Sequence, residues 1–128
     1  MPETKFVIDG DRFSTLEEFY EEFRNVVTPG YGWGANLDAF NDVLRGGFGT
    51  PDEGYVLVWK NSDISRVRLG YSETVNELER TLSRAHPSAR SSLLQRIQSA
   101  KEGKGDTVFD WLINAIKIEN PLILLLLE

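Results

Sequence analysis

The chain contains no cysteine among its 128 residues, so disulfide bonds and thiolate chemistry are excluded and a cytoplasmic location is favoured. Histidine is almost as scarce. The only one, His86, stands directly before a proline, and we interpret it as structural or solvent-exposed and not as a general base. The longest apolar run, residues 122–127, is far shorter than the roughly 20 residues that cross a bilayer. The N-terminus has no basic stretch leading into an apolar run, so we expect no secretory signal.

Negative charge, in contrast, is abundant and unevenly distributed. The net charge is −6, and residues 1–63 carry twelve acids and five bases, whereas residues 64–128 carry eight acids and nine bases. An acidic half repels the phosphates of nucleic acid and attracts a basic protein. The length and composition are those of one ordinary globular domain, residues 1–128. We therefore expect a protein partner, with no direct nucleic-acid contact and no membrane.

Residues 33–44 are the most informative segment of the chain. Asn36 is predicted to cap a helix whose apolar residues recur at helical spacing: Leu37, Phe40 and Leu44. Asp38 and Asp42 are four residues apart and fall on the opposite face, where two like charges cost the helix roughly 0.2–0.5 kcal/mol. The pair is either two ordinary surface acids or a contact site for a partner.

The loop before this helix alternates glycine with aromatic residues. We expect Trp33 to be partly buried and Tyr31 to be available for contacts. A glycine-rich loop before a helix can also hold phosphate, but this one contains no lysine or arginine and two aspartates follow it. Asp38 and Asp42 lack the desolvation that would prepare them for acid–base catalysis and lack further ligands for a metal. We therefore expect neither an enzyme nor a metal or cofactor site.

Three strands are predicted, at residues 5–9, 55–59 and 122–127, with helices between them. This order indicates an α/β fold with a small parallel sheet of about three strands packed by helices. The last strand has no polar residue in alternation, so we expect it to be buried on both faces. Capping residues are predicted at Ser14, in a capping box with Glu17, and at Asp106.

Residues 32–46 and the strand that follows resemble the barstar family, intracellular protein inhibitors of a secreted bacterial ribonuclease. The best match is the run 34–39, Gly-Ala-Asn-Leu-Asp-Ala, with Asp42, Leu44 and Gly46 following in register. The resemblance covers the first half of the chain and, in outline, its last fifth. It does not cover the middle, so residues 72–104 are expected to form a helical insertion before the last helix and strand.

The resemblance implies that the acidic helix and its preceding loop plug the active site of the enzyme. Asp42 then matches the central acidic contact of the family, Asp38 its neighbour, and Asn36 the residue at the junction of loop and helix. Gly46 matches the glycine that follows the helix. These roles follow from the resemblance and not from the spacing of the residues.

Several positions depart from the family pattern. Asn41 stands where the family has an aromatic contact, and Ala35 replaces a glutamate. The acidic contact on the last helix of the family has no secure counterpart in residues 114–119. Arg45 also falls on the side of the two aspartates, where it would partly neutralise them.

We therefore expect a cytoplasmic immunity protein or antitoxin, monomeric when free, that inhibits a ribonuclease or related toxin. The expected partner-binding residues are Asp42, Asp38, Asn36, Tyr31, Trp33, Asn41 and Gly46. The alternative is a protein-interaction module on the same fold that binds a different toxin or a partner that is not a nuclease.

Overall fold

A computed structural model describes residues 2–128 of the chain. Its three strands are β1 (Lys5–Asp9), β2 (Val56–Lys60) and β3 (Leu124–Leu127). Its six α-helices are α1 (Leu16–Val27), α2 (Leu37–Arg45), α3 (Ser62–Arg68), α4 (Tyr71–Leu82), α5 (Arg90–Lys101) and α6 (Val108–Glu119). Short 3₁₀ turns follow β1 and precede α5. Across residues 2–128, no helix has both the length and the apolar character needed to span a bilayer.

The three strands form one parallel sheet in the order β1-β2-β3. In its register, Ile8 lies beside Trp59 and Trp59 beside Leu127. All connections are crossovers that contain helices, as parallel pairing requires. The predicted α/β fold with a three-stranded parallel sheet is confirmed.

The main core lies between one face of the sheet and the helices α1, α2 and α6. Aromatic rings fill its centre, where Trp59 stacks on Phe19 at 5.2 Å between centroids and lies 5.1 Å from Phe109. Phe19 also meets Phe40 of α2 edge-to-face at 5.5 Å. The acidic helix is therefore held by the most buried side chains of the molecule.

The prediction that the last strand is buried on both faces is wrong. β2 takes the central place, so β3 is an edge strand with a neighbour on one side only. Leu124, Leu126 and Leu127 remain 37–42% exposed, although Ile123 just before the strand is buried. The run of leucines forms an edge strand in which more than a third of the surface of these three residues stays exposed, so continuous apolar sequence overstated its burial.

The predicted caps of two helices are each displaced by one residue. Thr15, not Ser14, caps α1, and its side chain accepts from the backbone N–H of Glu18. Thr107, not Asp106, caps α6 in a complete capping box with Asp110. In both places two residues able to cap stand side by side, so composition alone does not choose between them.

The helix pair α4–α5, which begins one residue before the expected insertion at residues 72–104, has a small core of its own. That core consists of Leu78, Leu93, Ile97 and Ala100. Two buried hydrogen bonds tie the pair to the rest of the fold. Glu73 Oε2 accepts from the backbone N–H of Leu16 at 2.9 Å, and Thr74 Oγ1 accepts from that of Val108 at 2.9 Å. The α4–α5 pair is therefore fixed against the starts of α1 and α6.

Candidate functional site

The exposed face of α2 carries the two aspartates that are predicted to contact a partner. Asn36 Oδ1 accepts from the backbone N–H of Ala39 at 2.8 Å, which confirms the predicted cap. The helical phase buries Phe40, Val43 and Leu44 and leaves Leu37 half-buried. Asp38 and Asp42 are exposed on the other side. The exposure predicted from the spacing is confirmed.

Arg45 joins the end of α2 to the end of α6. Its Nη1 lies 2.9 Å from Asp42 Oδ1, and its Nε lies 2.7 Å from Glu119 Oε2. These bonds raise the pKa of the Arg45 guanidinium, the hydrogen bond to Glu119 most of all. The Asp42 side chain is still 65% exposed. Arg45 thus partly neutralises the aspartate, as predicted, and brings an additional carboxylate to the site.

Trp33 in the preceding loop anchors that loop to the core. Its Nε1 donates to Thr28 Oγ1 at 2.9 Å, and its ring packs 6.2 Å from that of Phe40. The Arg24 guanidinium lies 4.7 Å from the centroid of the indole and donates to the Trp33 carbonyl at 2.8 Å. Trp33 is half-buried, as predicted, and positions the loop more than it offers a free surface.

Tyr31 links the loops on either side of α2. Its ring is 46% exposed and meets Phe48 edge-to-face at 6.1 Å. It also covers Gly49, where an added Cβ would lie 2.8 Å from the ring. Gly46 ends α2 at φ +113, and its N–H donates to the Val43 carbonyl at 3.2 Å. Both ends of the acidic helix are therefore fixed by short-range contacts.

A cleft of about 840 Å³ runs beside the acidic face, between α2 and the α4–α5 pair. Asn36, Leu37 and Asn41 form its α2 side, whereas neither Asp38 nor Asp42 lines it. Asn41 is half-buried, and its Oδ1 accepts no hydrogen bond from any part of the chain between residues 2 and 128. The helices α4, α5 and α6 form the opposite walls.

The chemistry available on this surface is that of carboxylates that can accept charge-assisted hydrogen bonds. Within residues 2–128, no group of three or more histidine, cysteine, aspartate or glutamate side chains could hold a metal ion. His86 is exposed, and its Nδ1 lies 2.9 Å from Ser88 Oγ in the turn between α4 and α5.

The sequence did not identify Glu119 or the far walls of the cleft as part of this surface. Glu119 is 74 residues from Arg45 in the chain, and no local pattern marks such a pairing. Two hints were present: the position of Arg45 on the aspartate side of α2, and the location of Glu119 in residues 114–119, where the resemblance left the acidic contact of the last helix without a secure counterpart.

The chain was compared with models of protein families and with curated protein sequences. A family model described as Barstar (barnase inhibitor) matches residues 3–110, a span that includes β1, β2, the acidic helix and the α4–α5 pair. No curated protein sequence matches the chain.

Proposed function

Because the chain belongs to the barstar family, we propose that it binds a ribonuclease and blocks the active site with α2 and the loop before it. The family is described by its inhibition of the ribonuclease barnase, which supports a protein partner and a role other than catalysis.

The observation that carries the proposal is the exposed acidic face of α2. Asp38 and Asp42 are exposed on it, and Glu119 adjoins it through Arg45. A ribonuclease active site presents cationic groups to the phosphates of RNA. Carboxylates can occupy the same positions through charge-assisted hydrogen bonds, so this face can act as a substitute for phosphate.

The rigidity of the site also supports inhibition. The Asn36 cap, the buried side of the Trp33 indole and the contact between Tyr31 and Phe48 hold α2 and its loops in place before any partner arrives. A surface that is already ordered loses little conformational entropy on binding, which favours high affinity.

Arg45 sets the charge that a partner meets. With Asp42 and Glu119 it forms a cluster of net charge −1, and Asp38 adds a further negative charge nearby. A cation of the enzyme must share Asp42 with Arg45 or displace it. We therefore propose that this face selects an enzyme with a strongly cationic site, because weaker cations would not compete with Arg45.

We further propose an immunity or antitoxin role in the cytoplasm, with the protein monomeric until it meets the enzyme. Ala35 and Asn41 differ from the residues expected at their positions, and both line the cleft. These differences favour a target other than barnase itself, such as a related toxin.

The test is inhibition of two purified enzymes: barnase, and a small nuclease sought among the genes next to this one. We expect submicromolar inhibition of at least one of them. Asp42→Ala should weaken binding by about 2–5 kcal/mol, mainly through faster dissociation, and Asp38→Ala should weaken it less. The matched control is Glu21→Ala, an exposed acid on α1. No inhibition of either enzyme, or equal effects of Asp42→Ala and Glu21→Ala, would show that the proposal is wrong.

A further inference from the structure

We propose that the α4–α5 pair forms a second half of the partner-binding surface, and that the cleft receives a loop of the ribonuclease in which an apolar side chain lies beside a carboxylate. The proposal rests on the function proposed for α2. It adds a second contact region, on the side of the cleft opposite α2. It also specifies the chemistry of the partner loop that enters the cleft.

The cleft is continuous with the acidic face. Asn36 and Asn41 belong to the same helical unit as Asp38 and Asp42, and both line the cleft. An enzyme seated on the aspartates would therefore lie beside the opening of the cleft. The side-chain oxygen of Asn41 is buried and has no hydrogen-bond partner within residues 2–128, so it would meet a donor from such an enzyme only after the amide turns toward the cleft.

The walls of the cleft are largely apolar. Leu37, Leu78 and Leu93 contribute to them, together with Trp111 and Ala115. Ile118 lies at the same cleft with 73% of its surface exposed. A large apolar side chain that is exposed beside a concave apolar surface favours the burial of a partner residue, since such pockets hold the strongest contacts of protein interfaces.

The α4–α5 side of the cleft presents cations. Arg84 and Arg96 line it, and neither forms an ion pair with any of residues 2–128. The Arg96 guanidinium lies 5.5 Å from the centroid of the Trp111 ring, which holds it over the apolar wall. These two arginines are the charges free to meet a carboxylate of the partner.

The cleft also contains three carboxylates, and two of them already have cationic partners. Glu77 is 2.6 Å from Arg80, and Glu119 is bound to Arg45. Glu17 is the third and lies on the α1 side. The surface is thus acidic along α2 and basic along α4–α5. Two adjacent regions of opposite sign fix the orientation of a partner and exclude proteins of uniform charge.

The cleft exists before binding because the α4–α5 pair is held in place. The buried Glu73 carboxylate binds the start of α1, and Thr74 binds the start of α6. The Tyr71 hydroxyl also donates to the Gly105 carbonyl at 2.8 Å. A partner would therefore not have to order these helices.

Two substitutions test the proposal without disturbing the core. Ile118→Asp and Arg84→Glu change exposed side chains of the cleft. Their matched controls are Val67→Asp, which changes an apolar side chain that is 81% exposed on α3, and Arg90→Glu, at the start of α5. Neither control residue lines the cleft.

The measurement is the dissociation constant against whichever of the two nucleases the parent protein inhibits. We expect each cleft variant to raise it by about tenfold and each control to leave it within about twofold. If Asp42→Ala weakens binding while both cleft variants bind like their controls, the cleft is not part of the interface and only this inference is wrong. Tighter binding by Arg84→Glu would show that the entering loop is cationic and would overturn the chemistry proposed. If neither nuclease is inhibited by the parent protein, both proposals are wrong.

Discussion

Glu73 should be one of the most important polar residues for stability, and its contribution can be calculated from its contacts. Its side chain is buried, and Oε2 accepts the backbone N–H of Leu16 at 2.9 Å across 57 residues of chain. Leu16 is the first residue of α1, so this N–H has no partner within the helix. Glu73→Ala leaves it buried without an acceptor, which costs about 1–3 kcal/mol. It also removes a negative charge from a helix N-terminus, which costs about 0.3–1 kcal/mol.

Relief of the buried charge offsets part of this loss, so we expect a net destabilisation of about 2 kcal/mol. For a domain of this size, that lowers the thermal midpoint by roughly 6–10 °C. Glu73→Gln keeps an acceptor oxygen and should remain within about 1 kcal/mol of the parent. The control is Glu79→Ala, an exposed acid on the same helix, which should change stability by less than about 0.5 kcal/mol. Unfolding should be followed by circular dichroism and calorimetry. A Glu73→Ala midpoint equal to that of Glu79→Ala would show that the bond does not stabilise α1.

Three further predictions concern the glycine turns, the edge strand and the pH dependence of stability. Gly54→Ala should lower the free energy of unfolding in urea by roughly 1–3 kcal/mol more than Gly47→Ala. Both positions have a positive φ, but only at Gly54 would an added Cβ collide with the carbonyl oxygen of Leu122. Deletion from Pro121 onward should give an aggregating or unfolded chain, since β2 would lose its β3 neighbour; a cooperative, unchanged melt would contradict this. The Asp9 carboxylate accepts two hydrogen bonds that hold its pKa below 3.8, so its stabilising effect is present near pH 7 and is lost as pH falls through the folded-state pKa. The Asp9→Asn variant should therefore have a lower thermal midpoint than the parent near pH 7 and the same midpoint at about pH 2. A difference in midpoint that persists at about pH 2 would contradict the assignment.

What the sequence predicted well is local in the chain. The cap at Asn36 and the exposure of Asp38 and Asp42 follow from the spacing of residues within one helix. The three strands follow from short apolar runs between turns, and their parallel pairing follows from the helices between them.

What the sequence did not predict depends on contacts between distant residues. The meeting of Arg45 with Glu119 requires α2 and α6 to pack side by side, which no short pattern records. The edge position of β3 depends on the order of strands in the sheet, and a run of leucines is compatible with either a central or an edge place. The walls of the cleft come from five helices and the loop residues beside them, so the cleft appears only in the assembled fold.

The order of the strands in the sheet has a consequence for how the chain folds. Strand order and chain order are the same, so pairing of β1 with β2 does not wait for β3. The connection that this first pairing closes contains α1 and the acidic helix, whereas the second connection contains α3 to α6. The entropy of closing a loop grows only with the logarithm of its length. Lengthening the second connection by the α4–α5 pair therefore slows closure little. The acidic helix can reach its contacts with α1, such as that of Phe40 with Phe19, while that connection is still open, whereas its contact with Glu119 of α6 forms only later.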